Sequence, residues 1–226
     1  MSLPDDLAAA LRSTSTATLY SQLQRRGIQN CFLEGLQPTR PDLRLVGVAR
    51  TLRYVALRED LRPEVNEQKR VIDSIEPGEV LVIEARGDRG AGTIGDILAL
   101  RVQRRGGGGV ITDGGLRDST AIAELDLPVY GAAKHAAVLG RRHIPLDSDL
   151  PVTCAGVLVV PGDVLVGDAD GVIVIPAALV ADVAAGAVDQ DREEQWILDR
   201  VAEGEPVTGL FPMNSANRQR YDEWSR

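Results

Sequence analysis

The sequence is poor in the residues that build several common kinds of site. Its 226 residues include only two cysteines and two histidines. Cys31 and Cys154 have neither CxxC nor zinc-ligand spacing, so we expect two buried thiols. His135 and His143 are too few for a zinc centre and are expected to be solvent-exposed or capping. A nucleophilic serine is not indicated either, because the sequence contains no Gly-x-Ser-x-Gly motif.

Aromatic residues are also scarce, and acidic residues outnumber basic ones, 33 to 25. Aromatics make up 4% of the chain and hydrophobic residues 44%, which predicts a core of Val, Ile, Leu and Ala. The net charge of -8 disfavours a nucleic-acid surface, because phosphate contacts need clustered Lys and Arg. Neither a membrane span nor a signal-peptide pattern occurs, so a cytoplasmic protein is expected. The length predicts a single domain over 1–226, with a core of about 7–205 and a tail of 206–226.

Strand-like runs alternate with helical segments between residues 79 and 130. The short, mostly β-branched runs typical of buried strands are 80–83, 110–112 and 128–130. The helices predicted between them are 97–104 and 119–125. Residues 85–95 are predicted as a loop because they are polar and rich in glycine. This alternation indicates an α/β fold with a largely parallel sheet.

The flanking segments predict further helices and strands on the same core. Before residue 79 we predict a helical region over 4–26 with a break at 13–16, a strand at 45–52 and a helix at 64–75. After residue 150 we predict a β meander with strands at 151–153, 157–160, 163–166 and 172–175. A long amphipathic helix is predicted over 177–203.

Two short charged segments, 20 residues apart, form the candidate site. Gly95-Asp96-Ile97-Leu98 falls at a predicted helix start, where backbone N–H groups can bind an anion. Arg117-Asp118 follows a predicted strand, which is a usual position for ligand-binding groups. Taken alone, the first segment could be an ordinary loop, and the second a surface ion pair or a helix cap. Asp113 is interpreted as part of an Asp-Gly turn and left outside the site.

With zinc and nucleophilic-serine sites disfavoured, carboxylate oxygens that could bind a metal ion remain at this site. Carboxylates and waters suit Mg²⁺ or Mn²⁺, and a cation would relieve the repulsion between Asp96 and Asp118. Lys134 is the one plausible Schiff-base lysine, but the apolar burial that would activate it cannot be inferred from residues 132–136.

The combined pattern resembles the RraA-like family over about residues 7–210. The resemblance rests on the D-x20-R-D spacing from Asp96 to Arg117-Asp118 and on the segments 156–163 and 167–172. It implies a single-domain α/β/α sandwich of the phosphohistidine-swivelling type, with a β meander and a long C-terminal helix. It also implies a homo-oligomer, a trimer or a hexamer of two trimers, with active sites at subunit interfaces.

The branch that this chain resembles contains the class II 4-hydroxy-4-methyl-2-oxoglutarate / 4-carboxy-4-hydroxy-2-oxoadipate aldolases. The resemblance implies that Asp118 binds Mg²⁺ or Mn²⁺ and that Asp96 acts through water. Arg117 would contact the pyruvyl oxygens of a 2-oxo acid substrate, and the backbone of Gly95, Asp96, Ile97 and Leu98 would supply N–H groups.

A C-terminal glutamate from a neighbouring subunit is also implied near the metal. The candidates are Glu193 and Glu194, and the spacing to Gly204-Glu205 favours Glu194. The expected reaction is cleavage of a 4-hydroxy-2-oxo acid to pyruvate and a second carbonyl compound, with oxaloacetate decarboxylation as a side activity.

Two other functions remain open from the sequence. RraA-type regulators that bind ribonuclease E and RNA helicases need not keep the aspartate after the arginine, so the presence of Asp118 favours catalysis. A dehydratase or decarboxylase of a sugar-derived oxo acid could use the same scaffold. The segment 130–136 departs from the corresponding loop of the well-known aldolases, which indicates that substrate specificity could differ.

Overall fold

The computed structural model describes residues 3–60 and 66–225, which form a mixed α/β fold. The helices are α1 (Asp5–Ser13), α2 (Thr16–Arg25), α3 (Glu67–Ser74), α4 (Asp96–Arg104), α5 (Ser119–Ile122), α6 (Val180–Ala202) and α7 (Ser215–Trp224). The strands are β1 (Gln37–Pro38), β2 (Leu45–Ala56), β3 (Glu79–Glu84), β4 (Gly92–Ile94), β5 (Gly109–Leu116), β6 (Val129–Lys134), β7 (His143–Ser148), β8 (Val152–Cys154), β9 (Val157–Val159), β10 (Val164–Gly167) and β11 (Val172–Ile175).

The main sheet is parallel at its centre and antiparallel at its edges. Its described strands follow the order β1-β6-β5-β3-β2-β10-β11, with β2, β3, β5 and β6 parallel to one another. β4 pairs with the end of β5, and β7 pairs with the second half of β2. The sheet curls because β2 bonds to β10 in its first half and to β7 in its second. A register shift between Arg53 and Tyr54 interrupts the pairing of β2 with β7.

Aliphatic side chains fill the core on both faces of this sheet, as the composition predicts. α3 and α4 cover one face through residues such as Ile72 and Val102. The β8–β9 hairpin covers part of the other face, and α1, α2 and α6 cover the part beside β11. Tyr54 and Tyr130 are fully buried, and each satisfies its hydroxyl by donating to a backbone carbonyl.

Several elements predicted from the sequence are confirmed. The helical region over 4–26 is two helices, and Ser15 caps the second by accepting a hydrogen bond from the Thr18 N–H. The parallel arrangement of β3, β5 and β6 and the long helix after residue 177 are also present. Both cysteines are buried free thiols. The predicted helix at 64–75 is observed as Glu67–Ser74, and its residues 64 and 65 lie outside the described part.

Other predictions were wrong, mostly where strand pairing over long range decides the structure. Residues 92–94 lie in β4 rather than in a loop, and the helix predicted to reach residue 125 ends at Ile122. The predicted meander is two hairpins: β8–β9 forms its own small sheet, while β10–β11 joins the main one. Hydrophobic runs identify strands but do not specify their partners. No described helix is long and apolar enough to span a membrane.

The turn between β10 and β11 is tied to the first helices by Asp168. Its buried carboxylate accepts hydrogen bonds from the N–H and hydroxyl of Thr16, each at 2.8 Å, and from Arg44 Nη1 at 3.0 Å. Burial acts to raise the pKa of this carboxyl, but these hydrogen bonds outweigh it and lower the pKa below its usual range. The contact therefore stabilises the fold most when Asp168 is ionised.

We expect Asp168→Ala to lower the free energy of unfolding by about 3 kcal/mol at pH 7, because it leaves the buried donors of Thr16 and the charged Arg44 without their acceptor. Because the folded pKa is depressed, this stabilisation is present above the unfolded pKa of about 3.9 and is lost as the pH falls through the folded value. The difference from wild type should therefore shrink below about pH 4 in urea titrations. Asp170→Ala, at an exposed position in the same turn, is the control and should change stability by less than about 0.5 kcal/mol. A destabilisation that persists unchanged in acid would contradict this role.

Candidate active site

The pairing of β4 with β5 brings the two charged segments together. β4 runs parallel to the end of β5, with Ile94 opposite Leu116, and the Arg117 N–H donates to the Ile94 carbonyl at 2.9 Å. Gly95 and α4 follow β4 at the same edge where Arg117 and Asp118 follow β5. Asp96 and the Arg117-Asp118 pair, 20 residues apart in sequence, therefore lie at the ends of two adjacent strands. This is the expected position of a ligand site on a parallel sheet.

Small residues are required at this junction because the two strand ends approach closely. A Cβ added to Gly92 would lie 2.7 Å from the Arg117 Cβ, and one added to Gly95 would lie 3.1 Å from Asp118 Oδ2. Gly90, Gly92 and Gly95 also match the GxGxxG spacing, which a sequence scan can take for a dinucleotide-binding motif. The space next to these glycines is occupied by the side chains of Arg142, Arg117 and Asp118. Packing within this chain therefore explains the glycines without a bound dinucleotide.

A buried polar network fixes the position of β4. The hydroxyl of Tyr54 and the side-chain amide of Gln68 both donate to the Thr93 carbonyl, at 3.0 and 2.7 Å. The Thr93 hydroxyl in turn bonds the Thr112 hydroxyl and the Gly115 carbonyl, each at 3.0 Å. Because these groups are buried and satisfied, they hold the three-residue strand rigidly against β5.

Asp118 has a left-handed backbone conformation, with φ at 55°, where the chain turns from β5 into α5. Aspartate and asparagine tolerate this conformation better than most residues. Its Oδ2 lies 3.4 Å from Arg117 Nε, and the two side chains are about two-fifths exposed. Asp96 is half-buried at the start of α4, and its Oδ1 accepts the Ile97 N–H at 2.8 Å. Guanidinium, carboxylates and a helix N-terminus thus face the same opening.

Three adjoining cavities surround these residues. The central cavity, about 670 Å³, is lined by Asp96, Arg117, Asp118, Ser119, Thr120, Lys134 and His135, among others. The helix-side cavity, about 400 Å³, is lined by Gln68, residues 92–98, Arg117, Asp118, Val138 and Leu139. The strand-side cavity, also about 400 Å³, lies between β1, α5 and β6. Asp96, Arg117 and Asp118 form the wall that the first two share.

The carboxylates present fit a hard cation that prefers oxygen ligands, such as Mg²⁺ or Mn²⁺, better than a metal that needs His or Cys ligands. Within residues 3–60 and 66–225 there is no group of three or more His, Cys, Asp or Glu side chains placed to hold a metal ion. Asp96 and Asp118 are thus the acidic side chains available to a cation at this wall. Mg²⁺ keeps several waters and binds proteins through one or two carboxylates, which suits such an open site.

Glu193 and Glu194 lie away from this wall within a single chain. Both line a separate surface cavity of about 780 Å³ against α7. Arg218 donates to both Glu193 oxygens, at 2.6 and 2.9 Å, whereas Glu194 accepts a 2.8 Å hydrogen bond from Gln190. Glu193 thus accepts hydrogen bonds at both carboxylate oxygens, whereas Glu194 accepts one at a single oxygen.

Asp113 is not in a turn, as the sequence suggested, but inside β5. Its buried carboxylate accepts the N–H groups of Ala85 and Gly87, and burial raises its pKa. A Cβ on Gly114 would lie 2.5 Å from the Thr93 side chain, so the glycine allows close strand packing rather than a turn. Asp113 supports the loop after β3 and lines none of the three cavities, so it lies outside the candidate site.

The two histidines differ. His135 is half-buried just after β6 and caps no helix, and its Nδ1 accepts the Ala137 N–H at 3.0 Å. The prediction for His143 was wrong, because this residue is buried in β7 with its ring 5.9 Å from that of Tyr54. Burial lowers the pKa of His143. Lys134 is exposed at the end of β6 and lacks the apolar burial that a Schiff-base lysine requires.

The sequence did not indicate three residues of the cavity walls: Ser119, Thr120 and Gln68. It indicated Lys134 only as a possible Schiff-base lysine. One available signal was the rule that ligands bind beyond the carboxyl ends of parallel strands. Applied to β6, that rule would have placed Lys134 next to Arg117.

Comparison with known proteins agrees with the fold and the motif. The RraA-like family model, described as Aldolase/RraA, matches residues 16–174, more than half of the chain. A protein of Halalkalibacterium halodurans is 32% identical over 200 residues, which cover 87% of this chain and 90% of the relative. Its name carries a provisional assignment as a 4-hydroxy-4-methyl-2-oxoglutarate aldolase.

Solved structures give the same family with a different functional label. RraAS2 of Streptomyces coelicolor, described as an unusual member of the RNase ES inhibitor RraA family, superposes with a TM-score of 0.81 at 30% identity. The match covers 87% of this chain and 97% of RraAS2. The RNA-processing inhibitor RraA of Thermus thermophilis matches 70% of this chain at 25% identity, with a TM-score of 0.54. The protein belongs to the RraA-like family.

Proposed function

We propose that this protein is a divalent-metal-dependent aldolase that cleaves a 4-hydroxy-2-oxo acid to pyruvate and a second carbonyl compound. The observation that carries the proposal is the shared wall of Asp96, Arg117 and Asp118 beside the start of α4. The aldolase names given to relatives support it. The proposed active form is a homotrimer or a hexamer, in which Glu194 of a neighbouring copy lies near the cation.

Asp118 would hold Mg²⁺ or Mn²⁺, and Asp96 would act on the substrate through water. When bound, the cation supplies Lewis acidity that polarises the 2-oxo group of the substrate. Arg117 binds the oxygens of the pyruvyl end, because its planar guanidinium matches a carboxylate in two-point geometry. The backbone N–H groups at the start of α4 face the same oxygens and favour negative charge there.

The cleavage then needs one proton removed and one carbon–carbon bond broken. Asp96, acting through an intervening water, accepts the proton of the C4 hydroxyl. The C4–O bond becomes a carbonyl as the C3–C4 bond breaks, and its electron pair forms the enolate of pyruvate. Arg117 stabilises the enolate more than the ground state, which lowers the barrier. Protonation at C3 releases pyruvate.

Decarboxylation of oxaloacetate is the expected side activity. Loss of its C4 carboxylate as carbon dioxide leaves the same pyruvate enolate beside Arg117. A site that stabilises this enolate in the aldol cleavage therefore stabilises it here, without needing the proton acceptor for a C4 hydroxyl.

The test is pyruvate formation from a panel of 4-hydroxy-2-oxo acids and oxaloacetate, measured with EDTA and after Mg²⁺ or Mn²⁺ is restored. We expect turnover that EDTA abolishes and that metal recovers. Turnover that persists in EDTA would exclude a metal-dependent mechanism. A dehydratase or decarboxylase of sugar-derived oxo acids on the same scaffold would instead give metal-dependent products other than pyruvate.

A second candidate function is a non-catalytic regulator of ribonuclease E or an RNA helicase. The similarity to RraAS2 favours it. It predicts no pyruvate from any acid, and it predicts inhibition of purified ribonuclease E that survives Arg117→Ala. Metal-dependent pyruvate formation that Arg117→Ala abolishes would favour the aldolase.

A further inference from the structure

His135 lies at the strand end next to Arg117. It directly follows β6, and its N–H donates to the Leu116 carbonyl at 2.9 Å. Because Leu116 pairs with Lys134 in the parallel register of β5 and β6, the next residues, Arg117 and His135, lie side by side. A Cβ added to Gly115 would lie 3.1 Å from the His135 Cβ, and residues two apart on a strand share a face. His135 and Arg117 therefore lie on the same face of the sheet, and both line the central cavity.

The segment that carries His135 is tied to both strands of the candidate site. Its first residue is bonded to β5 through the Leu116 carbonyl, and the Ala137 carbonyl accepts the Gly92 N–H of β4 at 2.8 Å. The two strands are those that end in the two charged segments. The half-buried ring of His135 is thus carried by backbone that is held from two sides. Such fixed placement is what a catalytic hydrogen bond requires.

A hydrogen bond to the ring assigns the tautomer of His135. Its Nδ1 accepts the Ala137 N–H at 3.0 Å, so this nitrogen presents a lone pair and the proton of the neutral ring lies on Nε2. Within residues 3–60 and 66–225 no group hydrogen-bonds to this Nε2. The atom is also not one of the buried polar atoms without a partner, as Nε2 of His143 is. The Nε2–H of His135 is therefore a donor that remains open to a ligand.

This tautomer restricts the chemistry of the ring. Nε2 already carries its proton, so it cannot act as a general base. Action as a general acid would require a second proton on Nδ1, at which the Ala137 N–H points. The ring is therefore suited to a neutral donor that keeps its proton. A fixed donor of this kind stabilises an oxygen more strongly as negative charge develops on it.

We propose that the Nε2–H of His135 donates a hydrogen bond to an oxygen of the pyruvyl unit that gains negative charge in the enolate, beside the guanidinium of Arg117. The inference rests on the function proposed above for the identity of the enolate. As the electron pair of the C3–C4 bond moves into the C2–C3 bond, charge grows on this oxygen and the hydrogen bond strengthens. No proton is transferred. His135 is then a catalytic residue in every reaction of this site that forms the enolate.

Two substitutions separate the roles of the two ring nitrogens. Asparagine places a carbonyl oxygen near the position of Nδ1, which keeps the acceptor for Ala137, but it has no group at Nε2. Glutamine places an amide N–H near the position of Nε2 and keeps the donor. We expect His135→Asn to lower kcat about a hundredfold both for aldol cleavage and for oxaloacetate decarboxylation, with an unchanged urea midpoint of unfolding. His135→Gln should recover most of this loss.

Other outcomes in turnover would overturn the proposal. An equal loss in His135→Asn and His135→Gln would mean that the ring acts through something other than the Nε2 donor. A change confined to KM would mean that the enolate is not favoured over the substrate. A loss in aldol cleavage alone would place His135 at the C4 hydroxyl, because oxaloacetate has none.

Binding of an enolate mimic separates this inference from the aldolase function. Oxalate presents planar, doubly negative oxygens as the enolate of pyruvate does, whereas pyruvate presents the ground state. In calorimetric titrations at one fixed Mg²⁺ concentration, wild type and His135→Gln should prefer oxalate, and His135→Asn should lose about tenfold or more of that preference. If this holds while no acid is cleaved, the aldolase function fails and the donor stands. If His135→Asn keeps the full preference, the donor is overturned whatever the turnover.

Nitrogen NMR tests the tautomer directly. The chain has only two histidines, so the ring signals of His135 are those that His135→Asn removes. At about pH 8, where an ordinary imidazole is neutral, proton–nitrogen correlation spectra of the wild type should show a protonated Nε2 and an unprotonated Nδ1. A proton on Nδ1 under these conditions would overturn the assignment and the proposal with it.

Discussion

Asp118→Asn is expected to lower metal-dependent pyruvate formation by about a thousandfold, since several kcal/mol of charge stabilisation depend on the bound cation. Asparagine has the shape of aspartate but lacks the charge that holds a hard cation. It also tolerates the left-handed conformation at this position, where φ is 55°. Alanine would add backbone strain to the chemical effect. The substitution therefore tests the carboxylate rather than the turn into α5.

Two measurements distinguish a loss of catalysis from a loss of metal binding in Asp118→Asn. kcat/KM reports the loss of transition-state stabilisation, and Mn²⁺ titration by electron paramagnetic resonance reports metal affinity without turnover. Asp149→Asn is the matched control, because Asp149 has a φ of 57° and is exposed in an ion pair with Arg50 away from the cavities. It should leave both readouts near wild type. Unchanged Mn²⁺ affinity in Asp118→Asn would remove Asp118 from the metal site.

Local signals made the two ends of the candidate site recognisable from sequence. A glycine before Asp96 and an apolar run before Arg117 indicate a helix start and a strand end, which depend on neighbouring residues alone. The closeness of the two ends depends on β4, a three-residue strand within a glycine-rich stretch. Such a strand has no periodicity of its own, and only its pairing with β5 defines it.

The misassigned residues have the same physical origin. The burial of His143 follows from the antiparallel pairing of β7 with the far half of β2, which residues around His143 do not encode. Asp113 and Gly114 have the composition of a turn, yet the glycine is required for contact with Thr93 across a strand interface. The position of Lys134 beside Arg117 likewise follows from the register of β5 and β6. Long-range register is the information that pattern reasoning lacks.

Arg117→Lys is expected to lower kcat/KM for pyruvate formation by about a hundredfold, the usual effect of removing one preorganised donor to a developing oxyanion. Lysine keeps the positive charge but not the planar fork that can bind two oxygens at once. The Arg117 backbone is fixed by its N–H bond to Ile94, so a lysine side chain would start from the same position. The loss should appear in kcat as well as in KM, because the enolate carries more charge on these oxygens than the substrate does.

Two controls separate the effect of Arg117→Lys from general damage to the site: Mn²⁺ affinity of the same variant, and a substitution at an arginine outside the cavities. Mn²⁺ binding should be nearly unchanged in Arg117→Lys, since the cation is held by carboxylates and the charge near Asp118 is retained. Arg101→Lys is the control: Arg101 lies on α4, outside the three cavities, and its Nε pairs with Asp73 at 2.7 Å. It should keep full activity. If Arg117→Lys also kept full activity, charge alone would account for the role of Arg117, and two-point binding of the pyruvyl oxygens would have to be abandoned.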